Sequence, residues 1–246
     1  MEIKKVAILG AGAVGSYVIE GISGCREIRL GVIAEGERNA RLKRAGCTIN
    51  GVTYHPEVWT SQETDNIDLL IVSLKYGALP TALDTIKQAT SQNTIVMSLM
   101  NGVDSEEIIE AKIGMSHILP ALIKVASHKE PDGYHFDRKS TIGIIFGEYK
   151  PPFQSERVKV VCDLFEKSDI SYRVTDYIRE EIWSKFRLNV CNNLPQAILG
   201  AGVGCYRDSV HMKAISEGLR SEIEAIASAK GIEFSKIESS AKGSPV

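Results

Sequence analysis

The chain has 246 residues, 43% of them hydrophobic and 24% charged, with a formal net charge of -2. That profile belongs to a globular protein long enough for one large domain or two modest ones with real cores. The balanced charge gives no reason to expect nucleic acid or an anionic membrane as a partner. Cys25, Cys47, Cys162, Cys191 and Cys205 are scattered, odd in number and without a CxxC pair. They argue against a disulfide framework or a zinc site and fit a reducing compartment. The first residues read as strand rather than secretory leader, and no apolar run has membrane-spanning length, so a cytoplasmic protein is expected.

Residues 3–9 end in Val6-Ala7-Ile8-Leu9, a run suited to a strand buried on both faces. Gly10-Ala11-Gly12-Ala13-Val14-Gly15 follows, and 16–20 continues as helix. Strand, glycine turn and helix is the context in which a GxGxxG sequence binds a dinucleotide. Gly10 would permit the tight turn, Gly12 the approach of backbone to a pyrophosphate, and Gly15 the close packing of helix on strand. The helix start, with Ala13 and Val14, would offer N–H groups and a positive dipole end to the phosphates. The alternative is an ordinary glycine-rich turn.

Residues 28–33 read as the second strand. Glu35 lies 20 residues past Gly15, the distance expected of a carboxylate that accepts from ribose hydroxyls. Arg38 is close enough to pair with a 2′-phosphate instead. A short helix over 39–45 follows, then an Asn50-Gly51 hairpin within 48–54. Residues 68–74 read as a central parallel strand, 80–89 as a crossover helix opened by Pro80, and 94–99 as the next strand. Residues just past the carboxyl ends of such strands face the ligand crevice. Lys75 and Asn101 stand there, as ligand contacts or as an ordinary loop lysine and turn asparagine. Asp104 or Ser105 reads as the cap of the next helix.

Residues 117–126 and 141–146 read as strands that extend the sheet, joined by a hairpin turn at Pro131-Asp132-Gly133. A helix over 152–168 and a strand over 170–174 complete a first domain at 1–175. Strand signals then stop. Residues 177–199 read as one long helix, 200–204 as a glycine-rich turn, and 210–230 as a second helix ended by Gly231. The small, polar 239–246 is expected to be disordered. The expected fold is therefore α/β, a Rossmann-type doubly wound sheet followed by a smaller all-helical domain at 176–246.

Lys185, Asn189 and Asn193 are spaced i, i+4, i+8 and fall on one helix face. Ile182, Trp183, Phe186, Leu188, Val190 and Leu194 surround them, the pattern of a largely buried helix. A polar stripe inside such a helix needs partners, and a bound ligand is one source of them. Burial also lowers a lysine pKa, which suits it to act as a general acid. A solvated polar face is the other reading.

These residues together resemble the ketopantoate reductases, or 2-dehydropantoate 2-reductases. The resemblance rests on GAGAVG, on Lys75 in Val-Ser-Leu-Lys, on Asn101 in Asn-Gly-Val, and on Trp-Ser-Lys-Phe-Arg-Leu-Asn followed by Asn193. It implies NADPH-dependent reduction of a small 2-oxo acid, ketopantoate, to pantoate on the way to coenzyme A. By the same resemblance Lys185 is the general acid, while Asn101, Asn189 and Asn193 hold substrate and nicotinamide ribose and Lys75 lines the same site. Many members carry an arginine where Glu35 stands, so NADP(H) is implied by the family and NAD(H) is admitted by Glu35. The family continues through further helices that supply a serine and a carboxylate, whereas this sequence stops at Val246. A shortened helical domain is therefore expected, with cofactor binding better preserved than catalysis and an exposed apolar face covered by a second subunit in a homodimer. A related 3-hydroxyacid or 6-phosphogluconate-type dehydrogenase and a non-catalytic nucleotide-binding derivative remain the alternatives.

Overall fold

The structure is a computed structural model that describes residues 2–237. The chain divides into two compact units, Met1–Asp176 and Tyr177–Val246. In the first unit β1 (Lys5–Leu9), α1 (Ala13–Ile22), β2 (Arg29–Ile33) and α2 (Gly36–Ala45) are followed by three short strands, β3 (Cys47–Ile49), β4 (Val52–Tyr54) and β5 (Glu57–Trp59). Next come β6 (Leu69–Val72), α3 (Leu79–Gln88), β7 (Ile95–Ser98) and α4 (Ser105–Ile113). The unit ends with β8 (Ala121–Lys124), β9 (Ser127–Glu130), β10 (Gly133–Phe136), β11 (Gly143–Phe146), α5 (Glu156–Glu166) and β12 (Tyr172–Val174).

Five parallel strands form the central sheet in the order β5-β2-β1-β6-β7. The chain builds outward from β1 on one side, returns, and builds outward on the other, so the switch lies between β1 and β6. Alternation along each strand fills two cores. Val6, Ile8, Val32, Leu69, Ile71 and Met97 belong to one cluster, while Ala7, Leu9, Ile33, Leu70, Val72 and Val96 belong to the other. A sheet covered on both faces explains why these strands are continuous apolar runs.

Two expectations about the strands change. β5 had no periodic signal. It is held at the sheet edge by the Arg29–Glu57 ion pair at 2.7 Å and by Trp59, whose ring lies over the side-chain-free Gly31. The turn at Pro131-Asp132 does not join β8 to β11. It joins β9 to β10, in register Glu130↔Gly133. That hairpin belongs to a separate sheet of order β4-β3-β10-β9, because Phe136 packs edge-on against Tyr17 at 5.2 Å and so turns the hairpin onto α1. The Asn50-Gly51 turn is a two-residue hairpin with φ of 49 and 77°, and Asn50 anchors it by accepting from Phe136 N at 3.0 Å and donating to Glu20 at 3.1 Å. β8 and β11 pair antiparallel in a third sheet, β12-β11-β8, and Ile118, just ahead of β8, forms a parallel bridge with Val96 of β7.

The second unit is helical: α6 (Ile178–Leu188), a π-helical turn (Asn189–Asn193), α7 (Leu194–Leu199), a short α8 (Cys205–Asp208) and α9 (Val210–Ala229). The expected single helix over 177–199 is thus interrupted. Pro195 lacks the N–H that would bond to the carbonyl of Cys191, and its ring would crowd that carbonyl; a wider turn relieves both. α9 ends with Gly231 at φ 74°, Gly231 N donating to Ser228 O and Ile232 N to Ala227 O, both at 2.9 Å. This is a Schellman cap, as Gly231 led one to expect. The tail expected to be disordered, 239–246, lies outside the described residues. Among the described residues no helix is long and apolar enough to cross a membrane.

The loop 99–104 is held from below by a buried polar chain. Ser98 and Ser105 hydroxyls lie 2.8 Å apart, Ser105 donates to Glu106 Oε2 at 2.8 Å, and Glu106 is only 4% exposed. Burial pushes the Glu106 carboxyl above the usual carboxylate range, against the pull of these hydrogen bonds. A raised native pKa means that the stability contributed by Glu106 is fully present below the unfolded value of about 4.3 and is lost as pH rises from there through the raised native value. Glu106→Gln cannot ionise. The wild-type Tm minus the variant Tm should therefore be greatest near pH 4 and shrink toward pH 8. A difference that stays constant or grows with pH would show that Glu106 is not held protonated by its surroundings.

Candidate functional site

The carboxyl ends of β1, β2, β6 and β7 bring together most of the residues singled out in the first unit. Gly10 has φ of 110°, and a Cβ there would lie 2.6 Å from the carbonyl oxygen of Ser73, just beyond β6. A Cβ on Gly15 would lie 2.1 Å from the carbonyl oxygen of Gly10. Both glycines are therefore required by the protein's own packing. Gly12 is different: a Cβ there meets nothing within 4 Å. Its bareness leaves open space at the start of α1. The first helical bond runs from Ser16 N to Gly12 O at 2.8 Å. The N–H groups of Ala13, Val14 and Gly15 thus have no acceptor within the helix. No side chain caps this end and no acid stands in its first turn. Such a terminus attracts an anion through aligned N–H groups and the helix dipole. This donor set and the open space above Gly12 fit the pyrophosphate of a dinucleotide.

Glu35 follows β2 at the N-terminal end of α2 and is exposed. Its Oε1 accepts from Ser61 N at 2.6 Å, so one carboxylate oxygen ties the end of β2 to the segment after β5. The sequence had not revealed that structural duty, because β5 was not legible. Arg38 sits one turn into α2 and, with Arg41, Arg44 and Glu37, lines an open cavity of about 500 Å³. Asn39 is buried beneath and donates to Ala34 O at 3.0 Å.

Lys75 and Asn101 are both exposed, on the loops after β6 and β7. Tyr76 binds these loops together, its hydroxyl donating to Asp104 Oδ2 at 2.8 Å. That bond pushes the Tyr76 phenol above its ordinary pKa. Asp104 does occupy the N-cap position of α4, but its side chain makes no capping bond. Gly102, at φ 117°, supplies the turn after Asn101. Ser73 also escaped the sequence reading; its hydroxyl donates to Gly10 O at 2.6 Å. A hydroxyl at the carboxyl end of an apolar strand, as at Ser73 and Ser98, was the available signal.

In the second unit Lys185 and Asn189 are half-buried, and Asn193 is exposed. Asn193 Nδ2 donates to Asn189 Oδ1 at 2.9 Å, so these two form a pair across the π turn. The i, i+4, i+8 geometry is modified: the π turn rotates Asn193 relative to Lys185. The helix is also less buried than its composition suggested. Ile182 and Trp183 are buried, but Leu188 is 49% and Leu194 50% exposed. Asn192, which was not singled out, joins the π turn to α8 and α9. Its carbonyl accepts from Tyr206 Oη at 2.5 Å and Gln196 Nε2 at 3.2 Å, and its Oδ1 from Ser216 Oγ at 3.2 Å. Carbonyls released by a π turn need such donors.

Comparison with known proteins gives a consistent result. Residues 6–150 match the family described as "Ketopantoate reductase PanE/ApbA", and residues 177–242 match its C-terminal counterpart. The chain is 23% identical over 186 residues to the "Uncharacterized oxidoreductase YkpB" of Bacillus subtilis, covering 74% of this chain and 61% of that protein. It is 29% identical over 233 residues to a 2-dehydropantoate 2-reductase of Pyrococcus horikoshii, covering 94% of this chain and 75% of that protein. The solved structure of a D-mandelate dehydrogenase with NADH and anilino(oxo)acetate superposes with a TM-score of 0.82 at 21% identity, over 93% of this chain and 75% of that one. The glycine turn, the parallel sheet and both family matches lead to one assignment: the chain belongs to the ketopantoate reductase family of oxidoreductases.

Proposed function

We propose that this protein reduces a small 2-oxo acid with a nicotinamide cofactor, with 2-dehydropantoate as the substrate, pantoate as the product and pantothenate biosynthesis as the role. The observation that carries the reading is the empty space above Gly12 beside three helix N–H groups without intrahelical acceptors. Residues 1–175 are read as the dinucleotide-binding domain and 176–246 as the helical substrate and dimerisation domain. The exposed apolar residues Ile198, Leu199, Val203 and Val210 support a homodimer. Five unpaired thiols support a cytoplasmic location.

Each residue then has a task. Gly10, Gly12, Ala13, Val14 and Gly15 hold the pyrophosphate. Glu35 or Arg38 meets the adenosine ribose. Lys75, Asn101, Asn189 and Asn193 orient substrate and nicotinamide ribose through charge and amide hydrogen bonds. The cofactor, when bound, supplies the hydride. Hydride arriving at the 2-oxo carbon leaves negative charge on oxygen, and the Lys185 ammonium stabilises that charge and gives it a proton. Glu35 favours a free ribose diol over a 2′-phosphate, and the NADH found in the D-mandelate dehydrogenase neighbour supports use of NADH. Oxidation of NADH and of NADPH, followed separately with 2-dehydropantoate, benzoylformate and other branched 2-oxo acids, tests the activity. Turnover with none of them would reject it.

Three substitutions test the assignments. Gly12→Ala should fold with a nearly unchanged Tm, yet weaken cofactor binding by about tenfold or more, since the added methyl occupies ligand space. Gly15→Ala should instead lower Tm, because its methyl meets the Gly10 carbonyl. Equal cofactor affinity in Gly12→Ala and wild type would place the dinucleotide elsewhere. Lys185→Ala should cut turnover by roughly two to four powers of ten while cofactor affinity, read by fluorescence titration, stays within a factor of about two. Near-normal turnover would remove Lys185 from the chemistry. Glu35→Arg should move the ratio of kcat/KM values toward NADPH; an unchanged ratio would mean that Glu35 serves only Ser61.

A further inference from the structure

The β9–β10 hairpin carries a cluster of metal-ligating side chains that the reductase reading does not use. His128 and His135 are directly opposed in the antiparallel register, and their rings stack at 5.7 Å. His128 Nε2 lies 3.2 Å from Glu130 Oε1. His135 Nε2 lies 3.0 Å from Asp132 Oδ1. Donor atoms of Glu130, Asp132 and His135 all fall within 4.8 Å of one another.

Strand alternation puts His128, Glu130 and His135 on one face of the hairpin and Ser127, Lys129, Tyr134 and Phe136 on the other. The second face is the anchored one: Phe136 is 7% exposed and packs on Tyr17. Gly133, on the same face as Glu130, fixes the hairpin against β3 instead, where a Cβ would lie 2.2 Å from Thr48 O. Asn50 N also donates to Tyr134 O at 2.9 Å. His128, Glu130 and Asp132 are thus exposed and His135 half-buried, on a backbone fixed through Phe136 and β3, as a preorganised ligand set must be.

We propose that the outer face of this hairpin binds one transition-metal dication of zinc-like character through His128, Glu130, Asp132 and His135. Each nitrogen–oxygen separation already approximates the edge of a zinc tetrahedron, about 3.3 Å for bonds of about 2.0 Å. Bringing the two pairs onto one ion takes side-chain rotation at His128, Glu130 and Asp132, which are exposed, and at the half-buried His135. Two imidazoles with two carboxylates favour zinc, nickel or copper over magnesium or calcium, which prefer oxygen alone. The ion here is remote in sequence from every residue assigned to reduction, so its role is to staple the hairpin rather than to take part in hydride transfer.

The test uses tag-free, reduced, EDTA-treated protein titrated with zinc chloride by calorimetry, with imidazole NMR signals followed in parallel. The expected result is saturation at one zinc per chain, shifts confined to the His128 and His135 rings, and a Tm that rises with zinc. His135→Ala should weaken binding by more than about tenfold, a loss seen even when a supporting group at a metal site is removed. Asp132→Asn, which leaves the strands intact, gives the same reading should His135→Ala fold poorly. Lys129→Ala, on the other face, should bind as wild type. Absence of saturable binding, binding undiminished in both ligand variants because the cysteines hold the metal, or equal binding of magnesium would overturn the proposal.

Discussion

The site in the first unit depends on how closely the backbone after β1 approaches the backbone after β6. Three contacts meet there. Ser73 O stands where a Gly10 side chain would be, Ser73 Oγ donates to Gly10 O, and Gly10 O stands where a Gly15 side chain would be. They pin the start of α1 to the point at which the sheet reverses its direction of growth. Ligands of open α/β sheets bind at such switch points because the loops diverge and leave a crevice. The loops after β6 and β7 are then fixed by their own devices, the Tyr76–Asp104 bond above and the Ser98–Ser105–Glu106 chain below. Lys75 and Asn101 thus stand on loops whose positions are set by neighbours.

The helical unit solves a different problem. A proline inside an amphipathic helix forfeits one hydrogen bond and crowds a carbonyl. Here the backbone widens into a π turn whose span, Asn189–Asn193, begins and ends on the two asparagines assigned to substrate. π turns often occur at functional sites because they release carbonyls and turn side chains out of the regular helical pattern. Asn192 O satisfies itself on Tyr206 and Gln196, so the irregular turn is braced by α7 and α8. The Arg187–Glu224 ion pair at 2.6 Å, with the guanidinium 4.1 Å from the Phe234 ring centroid, braces α6 against α9 and the segment after it.

Much of this was legible in the sequence. The parallel strands announced themselves as apolar runs because both faces are covered. The glycine turn and the Asn50-Gly51 hairpin have local chemistry that admits few other residues. What stayed hidden was non-local. β5 is three residues held by a cross-strand ion pair and an indole over Gly31, and no periodicity marks it. The Pro131-Asp132 turn was visible, but which strands it joins depended on Phe136 finding Tyr17. Glu35 was expected at a ribose, and its bond to Ser61 could not be foreseen without β5. Pro195 was visible throughout; its consequence for the spacing of Lys185, Asn189 and Asn193 was the missed signal.

The claim on which the rest turns is that a dinucleotide lies on the first turn of α1. Amide NMR spectra recorded while NADH or NADPH is added test it residue by residue. The expected result is saturable shifts concentrated on Gly12, Ala13, Val14 and Gly15, with smaller ones at Glu35 and Lys75. Shifts that spare the glycine turn, or spectra unchanged by either cofactor, would contradict it.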